Sequence, residues 1–531
     1  MKRCPECMRD YFDDSLFYCL DDGASLLDGP ASFNAAKTEA FHYPQPTRDA
    51  PTVPTVIYEP PTSSAVRRLS SVAVLPFANL SGDATNEYFS DGLSEELLNV
   101  LSKIAGIRVA ARTSAFSFKG KSSTVAEIGS ILNVSSVLEG SIRFAGNRIR
   151  VNVQLEDAKN GYQLWSETYD RTLDDIFAVQ DDIAQAVVEE IREHFLGDKI
   201  DAEEAKQIEA EVADAMKGRS ADPEAQRLVL LGRHFLDRTN REDGLKAIAY
   251  FEEAVAIDPK FALGWAALSH ALCVGAGKTW LPLDEAYDRA RHAATEALAA
   301  EPELAEAYAQ LGRIQAAYDL DLKSAAESYA KALSLAPTNP VVADGASILE
   351  LKLGNVEKAL SLSRSVLDQD PLSAAVWHNL GLISHAAGNL DYAANAFRKA
   401  IELSPNRLVS GAMLSVVLLD QGLEEEAKNQ ANSEPDDFWK TWALAIINFK
   451  AGRLEDFDLL REKLERSYVA GDAFQLAEVY AVSGEPDKAF SWLDRALGER
   501  DPGITHAKVS THLRSLYGDA RWDELTKKLG L

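Results

Sequence analysis

Residues 374–405 read AAVWHNLGLISHAAGNLDYAANAFRKAIELSP, and this stretch decides the fold. Trp377, Leu380 and Gly381 share one face of a first helix, at spacings of three and four. Ala393, Phe397 and Ala400 share one face of a second helix, and Pro405 ends it. Outward from this unit the same punctuation returns. Pro259, Pro302, Pro337, Pro371 and Pro405 fall 43, 35, 34 and 34 residues apart. A fixed period near 34 means one helical unit repeated, each copy covering an apolar face that its neighbour exposes.

The pattern W-x2-L-G, then A-x3-F-x2-A, then P resembles the tetratricopeptide repeat, a pair of antiparallel helices stacked into a solenoid. A first unit closes on Ala247, Phe251, Ala254 and Pro259, and a second runs from Trp265 to Pro302 with an insertion around Gly275 to Leu283. The third carries Tyr308, Gly312, Ala325, Tyr329 and Pro337, and a degenerate fourth keeps Gly354, Ala359 and Pro371. Beyond the Trp377 unit a sixth has Leu414, Gly422 and Ala427, and a last one has Gly484, Ala489 and Ala496. Trp522 and Leu525 are expected to cap the stack. The resemblance implies binding rather than reaction: a non-enzymatic scaffold or adaptor that takes a protein or peptide in its repeat groove.

The chain has 531 residues, of which 46% are hydrophobic, as in a globular protein. No run of about 18 apolar residues exists, so no membrane insertion is expected. The amino terminus lacks the apolar core of a secretory signal, and a cytoplasmic location is the expectation. A formal net charge of −27, with no basic run longer than Arg67-Arg68 or Lys527-Lys528, opposes binding to nucleic acid.

The pattern divides the chain into a cysteine-rich segment (1–28), a flexible Pro-rich linker (29–68), an α/β domain with a mixed sheet (69–197), a connector (198–221) and the repeat solenoid with its cap (222–531). In the α/β part, Val72 to Leu75 reads as a buried strand stopped by Pro76. Strands around Ile107–Ala110, Val137–Phe144, Ile149–Leu155 and Tyr162–Tyr169 alternate with helices around 91–104, 125–132 and 176–191. Gly146-Asn147 marks a hairpin. The stretches Val72 to Asp83, Tyr88 to Leu97, Val137 to Ser141 and Leu164 to Arg171 resemble, in order, the TolB amino-terminal-like domain found beside tetratricopeptide repeats in bacterial multidomain proteins. In that family a kinase, cyclase or winged helix often accompanies the domain, and none is read in this sequence. The resemblance leaves an alternative function open, a regulatory or sensory protein whose α/β domain binds a small molecule and signals through the repeats.

Three of the four cysteines fall within the first 19 residues. Cys4-x2-Cys7, followed by Cys19-x2-Asp22, has the spacing of two knuckles that close a tetrahedral zinc site, with Asp22 where a fourth cysteine is usual. Asp21 is a neighbouring candidate. Zinc would explain how so short a segment folds without a sizeable core, and the segment resembles amino-terminal zinc-ribbon-like segments of some bacterial regulators. A metal-free remnant and a redox dithiol are the other readings.

Gly120-Lys121-Ser122 and Gly277-Lys278-Thr279 imitate the end of a phosphate loop, but Ala115 and Leu272 stand where its first glycine belongs. They read as ordinary loops. His378 and His385, seven apart on the first helix of the fifth unit, face the concave side, with His270 and Arg313 at similar positions. They are either partner-binding residues or, as the simpler reading has it, solvated groove residues. Cys273 reads as a small packing residue.

Overall fold

The computed structural model describes residues 2–3, 10–11 and 27–28, most of 70–172, isolated residues between 183 and 220, and 222–531 except for 237–239, 279 and 470. Two compact units result, residues 1–66 and 67–531. In the first, strand β1 (Lys2–Arg3) pairs antiparallel with β2 (Asp10–Tyr11) and with β3 (Leu27–Asp28). Cys4, Cys7, Cys19, Asp22 and the 29–68 linker lie outside the described residues.

The second unit opens with β4 (Ser70–Val74), β5 (Ala78–Asn79), α1 (Glu87–Ser102), β6 (Ile107–Val109), α2 (Arg112–Phe116), α3 (Val125–Leu132), β7 (Ser136–Ala145), β8 (Arg148–Asp157) and β9 (Gln163–Thr172). β5 and α2 are additions to the expected order. The strand order is β6-β4-β7-β8-β9, with β5 pairing β7. β4 runs parallel to both of its neighbours, Val72 opposite Val109 and Val74 opposite Leu138. That explains its continuous apolar run, because a strand covered on both faces has no polar side. Val72 and Val74 face a core with Phe89, Leu93, Leu97 and Leu101 of α1. Ala73 and Leu75 face the opposite side, against Ile128 and Leu132 of α3. Of the expected closing helix, Ile183, Val187 and Ile191 are helical and fully buried in the first core. The β7–β8 hairpin turns at Gly146-Asn147 as its sequence predicts, with Gly146 at φ 59°.

Eight helical hairpins follow: α4–α5 (Pro223–Leu236, Arg241–Ile257), α6–α7 (Ala262–Gly277, Leu283–Ala300), α8–α9 (Ala305–Ile314, Leu322–Leu335) and α10–α11 (Pro340–Lys352, Val356–Leu367). The stack continues with α12–α13 (Ala374–Ala386, Leu390–Leu403), α14–α15 (Ser410–Asp420, Glu424–Asn432), α16–α17 (Asp437–Lys450, Leu454–Arg466) and α18–α19 (Ala473–Val482, Pro486–Gly498). The recurrent small residues do what close packing needs. A Cβ on Gly381 would lie 2.7 Å from Phe397, and one on Gly312 would lie 2.6 Å from Tyr329.

The chain does not stop at the last hairpin. Residues 499–517 include two short turns of 3-10 helix, Pro502–His506 and Arg514–Leu516, and precede α20 (Ala520–Lys528). Trp522 and Leu525 of α20 are buried with Phe490 and Leu493 of α19. The segment goes further. It runs back over the first helices of earlier hairpins, and Leu531 packs against the cluster of Leu322 and Tyr329 in the third.

Candidate functional site

The inner face of the solenoid is built from the first helix of each hairpin, and residues 500–517 lie on it. Asp501 anchors the start: its carboxylate accepts the backbone N–H of Phe474 on α18 and of Gly503, each at 2.8 Å. Burial raises this carboxyl to about 6, although both N–H donors oppose the rise. The Arg500 guanidinium sits 4.5 Å over the Tyr318 ring and 3.3 Å from Asp284 of the second hairpin. Ile504, Ala507 and Leu513 are fully buried, and Val509 packs against Leu351, Leu380 and Ile383. Ser510 donates to Glu478 at 2.7 Å, and Ser515 donates to the Ala481 carbonyl at 3.1 Å. The Lys508 stem crosses Gly354, where an added Cβ would meet it at 3.0 Å.

One backbone irregularity belongs to this contact. The third hairpin turns through a π-helical stretch, Gln315–Asp319, into Leu320 at φ 58°. At the equivalent turns Gly354, Gly388, Gly422, Gly452 and Gly484 take the left-handed conformation. Leu320 accepts a conformation that disfavours side chains, and its side chain is buried with Phe474, Ile504 and Leu529.

The four groove residues singled out in the sequence sit on or beside this inner face, but none is freely solvated. His378 is 8% exposed; its Nδ1 lies 2.9 Å from Ser410 Oγ, and its ring meets Phe397 edge-on. Burial lowers it to about 3, with the Arg407 charge adding to the shift. His270 is also lowered to about 3, by burial and then by Arg313. Arg313 is half-buried near Tyr329, Cys273 and Asp344. His385 is 7% exposed, and its Nε2 lies 2.8 Å from Asp420, which also accepts from Lys450 at 2.8 Å. These contacts give His378 and His385 structural partners within the chain. Cys273 is buried, which raises its thiol to about 11 and suits a packing role. Sequence reading missed the occupying segment because its apolar residues follow neither the 34-residue period nor a helical one.

A second contact joins the α/β domain to the repeats, and the stretch Asp91 to Glu95 forms much of it. Gly92 leaves room for Leu230 of α4; a Cβ would approach Leu230 Cδ1 to 2.6 Å. Asp91 accepts from Lys119 at 2.5 Å and lies 3.3 Å from His234 Nδ1. Burial pushes this carboxyl up, but the bonds from His234 and Lys119 outweigh it and hold it below the usual range. Glu95 bridges Arg112 at 2.7 Å and Arg233 of α4 at 3.2 Å. Inside the domain, Ser94 Oγ donates to the Ser90 carbonyl and accepts the Phe77 N–H. Farther along, Ser114 Oγ donates to Asp370 at 2.6 Å and accepts the Leu372 N–H at 2.9 Å, at the corner before α12. Ala111 N–H donates to the Gln369 carbonyl at 2.7 Å. The α/β domain therefore docks onto the repeats at the first hairpin and at the corner that opens the fifth.

Neither imitation phosphate loop lies between a strand and a helix, the setting a phosphate loop needs. Gly120 follows α2 in a turn, and Gly277 ends α6 rather than opening a helix. Among the described residues no three His, Cys, Asp or Glu side chains converge as metal ligands. Among them, too, no helix is long and apolar enough to cross a membrane.

Comparison with known proteins bears on the repeats first. Residues 346–407 match the tetratricopeptide repeat family. Over 216 residues the chain is 39% identical to a protein of Rhizobium meliloti (strain 1021) named "Putative adenylate cyclase 3". That match takes in 41% of this chain and 34% of the relative, so the chain spans about a third of the length of the curated relative it matches. Among solved structures, Pseudomonas aeruginosa pilF is similar at 19% identity, over 39% of this chain and 93% of that one, with a TM-score of 0.32. PilW, a type IV pilus biogenesis factor, is similar at 19% identity over 40% and 92%, with a TM-score of 0.33.

Proposed function

We propose that this chain is a non-catalytic interaction scaffold that takes a polypeptide segment along the inner face of its tetratricopeptide repeats. One observation carries the reading: that face already holds a polypeptide, residues 500–517 of the same chain, through buried Ile504, Ala507 and Leu513 and the Ser510–Glu478 bond. A partner segment with small apolar residues interleaved with hydroxyls competes for the same surface. Stacked helices present that surface preformed, which limits the ordering cost of binding. The partner is a protein or peptide rather than nucleic acid, in keeping with the net charge of −27.

The test uses full-length chain and a fluorescent synthetic peptide of residues 499–517. Ile504→Asp puts a charge among buried apolar side chains and frees the face; Val509→Asp, at a half-buried position, is the milder companion. Anisotropy should show the peptide binding the variants at least tenfold more tightly than the unaltered chain. Folded variants that leave the peptide free would overturn the reading.

A regulatory or sensory role is the second reading, favoured by the docking of the α/β domain onto the repeats and by the relative's name. On this reading the segment shared with that relative accompanies a cyclase and is not its catalytic part. The full chain incubated with ATP and Mg²⁺ should form no cyclic AMP; formation would sink the non-catalytic assignment.

Cys4, Cys7, Cys19 and Asp22 are proposed to hold one structural zinc, on the chemistry of three thiolates and a carboxylate. Purified under reducing, chelator-free conditions, the chain should contain about one zinc, released by Cys4→Ser. Protein without metal would refute this site.

A further inference from the structure

Where residues 511–515 cross the ends of α12, α14, α16 and α18 they leave a cavity of about 570 Å³, within the range of small-ligand sites (roughly 300–1,000 Å³). One wall is apolar: Leu390, Phe449, Ala481 and Val482. The remainder is polar, and most of its donors are already engaged. His385 and Lys450 both bond Asp420, which burial pushes up and these two partners hold well below the usual range. His512 is buried with its Nδ1 3.7 Å from Glu478 and its ring edge-on to Trp442. Arg514 is the exception. It is exposed, lines the cavity, and has no ion-pair or side-chain hydrogen-bond partner among the described residues, while Thr511 lines the same rim.

We infer that this cavity is a binding site for a small amphipathic anion, a carboxylate or phosphate carried on an apolar body. The apolar frame lies against Phe449 and Val482, and the anionic group sits between Arg514 and Lys450. Of the two carboxylates nearby, Asp420 is paired with Lys450, and Glu478 accepts from the Ser510 hydroxyl at 2.7 Å. Arg514 and Thr511 belong to the segment that covers the inner face, and the other walls belong to the repeats. Occupation of the site therefore clamps that segment down. The inference goes beyond the polypeptide-binding reading and does not depend on it.

The experiment uses full-length chain with three probes at matched ionic strength: phenyl phosphate, benzyl alcohol and inorganic phosphate. Saturation-transfer NMR should show phenyl phosphate binding more tightly than either of the others, because only it fills both halves of the site. Arg514→Gln, at an exposed position, should weaken phenyl phosphate about tenfold, the scale of one charge-assisted hydrogen bond. Val482→Phe should weaken it by filling the apolar half. Hydrogen exchange at 506–517 should slow when phenyl phosphate is present. Three results would each overturn the inference: no binding, equal binding of benzyl alcohol, or unchanged affinity in folded Arg514→Gln.

Discussion

At Gly381 the absence of a side chain is what lets two helices of one hairpin meet. An added Cβ would lie 2.7 Å from Phe397, a fully buried ring with no room to retreat. Gly381→Ala should lower stability by about 1–3 kcal/mol through overpacking. Combining it with Phe397→Leu should recover part of the loss in a double-mutant cycle, and strict additivity would show that the two sites do not meet. Three histidines, one buried and two half-buried, fix a pH dependence. His270, His378 and His506 are each lowered from 6.5 to about 3, with burial the leading cause. Lys352, itself lowered to about 8 by burial, adds to the shift of His506. A histidine whose folded value lies below its unfolded one contributes stability in full above pH 6.5. That contribution is lost as pH falls toward 3, because the unfolded chain takes up the proton first. Melting temperature should therefore fall across this window, and His378→Asn should flatten the fall. An unchanged slope would mean that the imidazole protonates without unfolding.

Among the elements, the stretch from Asp91 to Glu95 shows how one helix serves two purposes. Leu93 and Leu97 fill the core of the α/β domain, while Asp91, Gly92 and Glu95 meet α4 of the first hairpin. The period of apolar residues in α1 is visible in the sequence, but the partner of its acidic residues is not. The same holds for Ser114, which reads as an ordinary polar residue and is fully buried against Asp370. Ser114→Val should cost about 1–3 kcal/mol, because it leaves the buried Asp370 carboxyl without this donor. Amide exchange should rise together at 107–116 and at 368–373. A rise confined to 107–116 would show that the two elements are not coupled.

A solenoid in which each repeat touches only its neighbours unfolds piecewise. This one carries a long-range tie as well, because residues 499–531 join the last hairpin to Asp284, Leu320 and Lys323 of the second and third. A chain ending at Gly498 should lose protection not only in α18 and α19 but also in α8, α10 and α12, more than a hundred residues away. Hydrogen exchange confined to the last hairpin would show that the tie contributes nothing. The α/β domain adds a second tie at the first and fifth hairpins, so the unit from 67 to 531 should melt with more cooperativity than a free repeat array.

The period and the helix faces that carry it, with Gly381 and Phe397 among them, are legible in the sequence. These are local facts, since helix faces depend on residues within a few positions of one another. The sequence also carried the strand pattern of the sheet, because a strand buried on both faces must be apolar throughout. What covers the inner face is set by contacts far apart in the chain. Ile504, Val509 and Leu513 follow no regular spacing, and their partners Leu380 and Phe474 lie from thirty to more than a hundred residues away. The same limit applied to His378 and His385. Their spacing placed them on the concave side, but whether that side faced water or other side chains depended on a segment whose path no local rule encodes.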